Sequence, residues 1–356
     1  MAQLQSTLAQ KGTVNKKVIW FAAIFLLFAA AGLFYVKWYP YYFKSFSAAA
    51  THSIGNSILG DPSKPASFSW DSAVSYALAY FNAVWKAAIL GILLGSLIQV
   101  LLPSQWLIKV LGKTSFGSTA AGGLASIPGM MCTCCAAPMA VGLRKKKVSV
   151  GAALAFWLGN PAINPATLVF MTFVLSWKFT LLRLVFGVIL TFGVSYLANH
   201  FIKDSEEVDL DQLMEKTEME QEEPFFVRWM KSIGMMLLYI VPAYVVSVLL
   251  VGAARIWLFP HVGEAAANSI LVVIEFAIAG MLFVIPTAAE IPIIQSFLAF
   301  GLGTGPAGAL LLTLPSISLP SLLIVGRSFP AKVLIFTAVS VVVLGILCGL
   351  TGMLIL

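Results

Sequence analysis

Three of the four cysteines in this chain, Cys132, Cys134 and Cys135, fall within four residues of one another in the run IPGMMCTCCAAP. Thiolates are soft ligands, suited to Cu(I) and zinc, and by the same softness to trivalent arsenic. The run lies between Pro128 and Pro138, and proline both removes a backbone donor and kinks a helix. It reads as a soft-ligand cluster at a helix break, not as a zinc knuckle or a thioredoxin-type motif, and its spacing selects no particular metal. The plainer alternative is that cysteine serves there as a small apolar residue that lets helices pack closely. Cys348, alone in the last apolar stretch, reads as packing.

Two further groups have the chemistry of a membrane-depth site. Asn160, Asn164 and Thr167 surround Pro161 and Pro165, and Ser316 and Ser318 stand in the same relation to Pro315 and Pro320. Carbonyls freed by the prolines, together with these side chains, would make a polar lining; the alternative is hydrogen-bonding glue between helices. Glu290 stands between Pro286 and Pro292, and Glu275 interrupts the apolar run 265–289. An ionisable residue inside a span is costly and faces a partner or a cavity. Glu290, in a proline-bounded break, is the candidate for proton coupling or cation binding, and Glu275 for pairing with a base such as Lys86.

The elements that must position these residues follow from composition. The chain has 356 residues, 60% of them hydrophobic and 10% charged, with a mean hydropathy of +0.93. Globular proteins run near 45–50% apolar and about 25% charged, so a soluble enzyme, a nucleic-acid binder and a disordered scaffold are excluded. The net charge of +7 does not signal nucleic acid, because ten of the fifteen acids lie between Asp204 and Glu223 and the bases cluster at the ends of apolar runs. That is how a polytopic membrane protein places charge.

A bilayer core about 30 Å thick needs about 20 apolar residues per helix. The expected order is a tail (1–17), a retained first span (18–36) and an extracytoplasmic aromatic loop (37–75). A first membrane unit (76–202), an acidic cytoplasmic linker (203–224) and a second membrane unit (225–356) follow. Single spans are expected near 76–102, 179–202, 232–254, 267–289 and 333–356. Three uncharged stretches, 114–143, 148–177 and 291–326, run 30, 30 and 36 residues. Each is too long for one helix and is broken by Pro or Gly. Irregular backbone at membrane depth survives only against protein or a wet cavity, so broken or re-entrant helices are expected. Lysines before the first span place the N-terminus in the cytoplasm, the run Arg144-Lys145-Lys146-Lys147 is expected there too, and Lys203, Arg228 and Lys231 place the linker they flank on the same side. The basic run also suits contact with anionic lipid.

The two units resemble each other. GAALAFWLGNPAIN (151–164) aligns without gaps on GPAGALLLTLPSIS (305–318), each followed by a second proline and preceded by Gly-Leu and, further upstream, Ile-Pro. The turn after Gly-Leu is RKKK in the first copy and the uncharged Gly303-Thr304-Gly305 in the second. Only a cytoplasmic turn should be basic, so the pattern favours an inverted repeat, as many secondary transporters use, over a parallel one. The fold class is therefore an all-α polytopic membrane protein of about 8–10 transmembrane helices, with two related repeats containing broken helices.

These residues carry a resemblance. The stretch IPGMMCTCCAAPMAVGLRKKKVSVGAALAFWLGNPAINPATLVF resembles the first signature of a bacterial predicted-permease family that includes the organoarsenical efflux permeases. IPTAAEIPIIQSFLAFGLGTGPAGALLLTLPSISLPSLLIV resembles its second, and the likeness spans roughly residues 80 to 350. It implies a multi-span inner-membrane permease, and thiol contact between Cys132, Cys134 and Cys135 and a soft substrate such as a trivalent organoarsenical. Many members carry Cys-Ser-Cys-Gly at this break, where this chain has Cys132-Thr133-Cys134-Cys135.

The expected function is a secondary transporter of a small soft solute, working by alternating access without a cofactor. The rival readings are an intramembrane thiol–disulfide oxidoreductase and a carrier of a metal ion or sulfur compound. The absence of a G-x-x-x-x-G-K-[ST] run means that the chain is not its own ATPase. Its partners are the substrate and the bilayer, not nucleic acid, and a homo-oligomer is compatible with the sequence.

Overall fold

The computed structural model describes residues 16–59, 70–201, 224–259 and 269–356, and among them every regular element is helical. Most of the acidic linker and part of the loop expected at 37–75 lie outside the described residues.

Among the described residues six helices are long and apolar enough to cross a membrane: 20–51, 70–101, 177–201, 225–255, 304–325 and 331–355. The expected count of eight to ten is not met by long helices, because the remaining apolar stretches fold as short half-helices. The first span also differs from expectation. α1 (Lys16–Leu33) runs through a π-turn at Phe34–Trp38 straight into α2 (Tyr39–Thr51), so the segment expected to leave the bilayer at Lys37 stays helical to Thr51. Pro40 lies in the first turn of α2, directly after the π-turn, and has no N–H to offer the carbonyls of that preceding turn.

From Trp70 onward two sets of helices follow the same order. The first has α3 (Trp70–Leu101), a short α4 (Ser104–Leu111), a hairpin of half-helices α5 (Phe116–Ser126) and α6 (Thr133–Lys145), a broken pair α7 (Val150–Ala162) and α8 (Pro165–Val174), and α9 (Trp177–Val188), prolonged by further helical turns to Phe201. The second has α10 (Phe225–Leu258), the hairpin α11 (Ile270–Leu282) and α12 (Glu290–Ala299), the broken pair α13 (Thr304–Ser316) and α14 (Leu319–Val325), and α15 (Ala331–Ile355).

Hydrogen bonds fix which end of the bundle each hairpin uses. Asn199 Nδ2 donates to Thr114 O at 3.4 Å, and the Gly151 amide donates to Asn199 Oδ1 at 2.8 Å. The start of α5 and the start of α7 therefore share one end of the bundle. Arg144 Nε donates to Ser328 O at 3.3 Å, so the basic turn lies beside the start of α15. A Cβ on Gly352, near the far end of α15, would stand 3.0 Å from Thr304 O, and one on Gly305 would stand 3.1 Å from Val273. The second hairpin thus opens at the opposite end. Half-helices of 10 to 13 residues rise about 15–20 Å, roughly half of a 30 Å core, so both hairpin tips reach the middle.

Local sequence explains these breaks. Ser115, Ser149 and Ser269 cap α5, α7 and α11, each accepting a hydrogen bond from a backbone N–H three residues on, as N-cap serines do. Each tip contains Ile-Pro followed two residues after the proline by a non-glycine residue in the left-handed region: Met130 at φ 49° and Ala288 at φ 70°. Such a conformation costs on the order of 1–2 kcal/mol and is held only by surrounding packing. In the first set that packing is close, since a Cβ on Gly91 would run into Cys135 O, and one on Gly95 would stand 2.5 Å from Pro138 O.

Candidate functional site

The two tips and the two broken helices converge on one small cleft. Its walls are Cys132 from the first tip; Pro161, Asn164 and Thr167 from the first broken pair; Ile285, Pro286, Thr287, Ala288 and Glu290 from the second tip; and Pro315 from the second broken pair. The enclosed space is about that of one water, within about 220 Å³ of free space that includes the open mouth.

Two polar atoms at this cleft have no hydrogen-bond partner: Asn164 Nδ2, a donor, and Glu290 Oε2, an acceptor. Both residues are 1% exposed. A buried unpaired polar group costs about 1–3 kcal/mol, so such a pair at one cavity is a place for a ligand or water to bind. Asn164 is fixed from its other end: its Oδ1 accepts from the amides of Ala166 and Thr167 at 3.1 and 3.3 Å, capping α8. The cap orients the side chain and leaves the amide nitrogen uncommitted.

Glu290 is held by Arg183, which is wholly buried, with Nη2 of Arg183 3.5 Å from Glu290 Oε1. The same guanidinium donates to Ala162 O at 3.0 Å, to Pro161 O at 2.7 Å and to Leu311 O. These are the acceptors that the broken helices leave over. Pro315 has no N–H for Leu311 O, Pro165 has none for Pro161 O, and the Ala166 amide that would serve Ala162 O is taken by Asn164. Arg183 therefore clasps the first broken helix, the second broken helix and the second tip at once. This corrects the expectation that proline-freed carbonyls line the site: the carbonyls of Pro161, Ala162 and Leu311 are occupied by a cation from α9, and sequence reading assigned Arg183 no role.

The cysteines divide. Cys132 Sγ lies 3.0 Å from Cys135 Sγ. These two residues stand in C-x-x-C spacing, which corrects the exclusion of that motif. Cys134 instead faces Ser318 Oγ at 3.3 Å, near the hydroxyl pair Tyr80–Tyr244, whose oxygens are 2.8 Å apart. Ser318 and Ser321 close a local cap at the start of α14. All four cysteines are free and buried. Among the described residues no three His, Cys, Asp or Glu side chains converge to hold a metal ion.

Other expected site residues fall outside the cleft. Ser316 hydrogen-bonds back to Leu312 O at 2.5 Å, within its own helix. Asn160 donates to Phe156 O at 2.9 Å and packs on Gly129 of the first tip, where a Cβ would collide with its Oδ1. Glu275 is exposed on α11. Lys86 lies over the rings of Tyr35 and Trp85, 6.0 and 5.5 Å from their centroids.

One residue absent from the sequence-based site reaches it from the first span. Lys37, in the π-turn, is 4% exposed. It donates to Thr287 Oγ1 at 2.9 Å and to Tyr41 OH at 3.2 Å, within electrostatic range of Cys132 and Cys135. Its neighbour Trp38 donates from Nε1 to Pro128 O at 2.8 Å, so this turn touches both tips. Its π geometry, of a kind frequent at functional sites, was the signal, and it is invisible in sequence.

Residues 69–353 match the family described as predicted permease. The chain is 50% identical over 330 residues to the UPF0718 protein YraQ of Escherichia coli K12, covering 93% of this chain and 94% of that protein. It is 24% identical over 283 residues to the UPF0718 protein MJ0584 of Methanocaldococcus jannaschii, covering 62% of this chain and 77% of that one. No solved structure matches.

Proposed function

This chain belongs to the predicted permease family, and from that premise we propose that it is a secondary transporter whose substrate occupies the cleft between the two hairpin tips. The observation that carries the reading is the meeting of Cys132, Asn164 Nδ2 and Glu290 Oε2 at one cavity, the last two buried and unpartnered. A solute with a soft atom for the thiol, a donor for Glu290 and an acceptor for Asn164 satisfies all three. A trivalent organoarsenical bearing hydroxyl groups has this set, and export through the bacterial inner membrane is the direction that would serve the cell.

Hairpins that enter from opposite ends of the bundle support an inverted pair of repeats, and tips that meet at mid-depth support alternating access by rocking one repeat against the other. The basic turn beside the start of α15 supports a cytoplasmic location for that end, for the N-terminus and for the linker 203–224. Glu290, paired with Arg183, is a coupling group in this scheme.

The test is uptake of phenylarsonous acid by everted membrane vesicles. Wild type should accumulate it and Cys132→Ser should lose at least tenfold, while Cys348→Ala, which does not line the cleft, should not change. No accumulation by the wild type removes this substrate, and an unaltered Cys132→Ser removes the thiol role.

One observation favours a second reading, an intramembrane thiol–disulfide oxidoreductase: the Cys132–Cys135 pair has the spacing and sulfur proximity that dithiol exchange requires. Loss of two hydrogens from that pair on incubation with a partner disulfide, with the partner's two thiols appearing in equal amount, would establish it.

A further inference from the structure

The buried charges of the core do not cancel. Lys37, Arg183 and Glu290 are the charged side chains buried among the described residues. Arg183 and Glu290 are paired, which leaves Lys37 without a carboxylate partner; the acidic groups in its electrostatic range are the thiols of Cys132 and Cys135. Both of its hydrogen bonds go to neutral hydroxyls, of Tyr41 and Thr287. Among the described residues no carboxylate pairs with it, and its ammonium also lies over the Tyr41 ring, 5.0 Å from the centroid. A buried charge is costly unless it is paired, and at membrane depth it marks a binding site or a pathway. Thr287, the acceptor of Lys37, is itself a wall of the cleft. A second donor waits there too: Asn164 Nδ2, unpartnered and 1% exposed.

We infer that Lys37, which adjoins the cleft through Thr287, is its charge-selecting residue, and that its ligand is a small anion held between the Lys37 ammonium and the Asn164 amide, the charge of Glu290 on the same cleft being balanced by Arg183. The inference rests on the cleft being the transport site and names a substrate class for it. The first span then has a function beyond anchoring. It packs loosely, with only 17% of its most apolar window buried, and it lies outside residues 69–353 that match the family. It nevertheless delivers a cation to the point where both tips meet, with Trp38 fastened to the first tip and Lys37 to the second. Anions with a soft atom gain a second contact, the Cys132 thiol, so thiosulfate should bind more tightly than chloride.

The experiment is calorimetric titration of the purified full-length protein in detergent and chloride-free buffer. The probes are thiosulfate, hydrogensulfite, nitrite and chloride, with phenylarsine oxide as an uncharged thiol reagent. Wild type should bind at least one of the four anions. Lys37→Met and Lys37→Gln should weaken that binding at least tenfold, and Lys37→Arg should retain it. Binding of phenylarsine oxide should survive in Lys37→Met and disappear in Cys132→Ser, so a failed anion site and a failed thiophile site give different patterns. If no anion binds the wild type, as when a thiolate of the cysteine cluster already neutralises Lys37, the inference is overturned. It is equally overturned if Lys37→Met and Lys37→Gln bind the anion as the wild type does. Should both variants fail to fold, the wild-type titration alone decides.

Discussion

Replacing Arg183 by methionine keeps much of the side chain's volume and removes its charge and donors. The structure sets the size of the effect. At 3.5 Å from Glu290, and with an effective dielectric of about 20, the pair's Coulomb attraction is roughly 5 kcal/mol before desolvation. Removing one partner of a buried pair strands the other, which costs about 3–5 kcal/mol. The carbonyls of Pro161, Ala162 and Leu311 also lose their donor, at about 0.6 kcal/mol for an average interhelical bond in a membrane. The expected loss for Arg183→Met is therefore about 5 kcal/mol. Glu290→Gln is a milder change. Arg183 keeps its three carbonyl acceptors and a neutral amide replaces the carboxylate, so the expected loss is about 1–2 kcal/mol. In the double variant no carboxylate is stranded, so adding Glu290→Gln to Arg183→Met should recover about 2 kcal/mol or more. The assay is reversible unfolding in mixed micelles followed by tryptophan fluorescence, run as a double-mutant cycle. Arg183 is not a clasp if Arg183→Met costs less than about 1 kcal/mol, or if Glu290→Gln worsens the Arg183→Met background.

Two other outcomes follow from the same geometry. Asn164→Ser keeps an N-cap oxygen for α8 but deletes the uncommitted amide, so stability should change by less than about 1 kcal/mol while transport falls at least tenfold; Asn164→Ala should lose stability as well. The native cysteines are buried, so a cysteine placed at exposed Lys145 or exposed Phe300 can be labelled by a membrane-impermeant maleimide against the native background. Lys145→Cys should label only in inside-out vesicles and Phe300→Cys only in right-side-out ones, and labelling of both from one side would exclude the inverted arrangement.

Much of the architecture was legible because lipid imposes few choices. Uncharged runs too long for one helix, interrupted by Pro128, Pro161 and Pro315, had to break, and the ordered likeness of 151–164 to 305–318 located both broken helices; the stretch 267–289, expected as one span, instead ends as a helix at Leu282 and forms the second tip around Pro286. Cys132, Asn164 and Glu290 were all legible, since each is a polar or soft residue beside a proline at membrane depth. Ser316 and Glu275 have the same character but point elsewhere: a residue's type does not say which way its helix turns it. The first span was misjudged at Lys37 for a related reason. A lysine at the end of an apolar run is normally an anchor in the headgroups, whereas this one sits in the π-turn and is buried.

What the sequence determined by itself is the solvent and the breaks: composition requires a bilayer, and proline removes the N–H that a continuous helix needs. What the tertiary structure decided is which groups meet. Arg183 and Glu290 are 107 residues apart, and Lys37 and Thr287 are 250 apart, so no local pattern announces either contact. Both arise because two half-helix hairpins end at the same depth and leave carbonyls and a cavity that side chains from other helices must fill. The sequence contains those side chains, but their pairing is a property of the packed bundle.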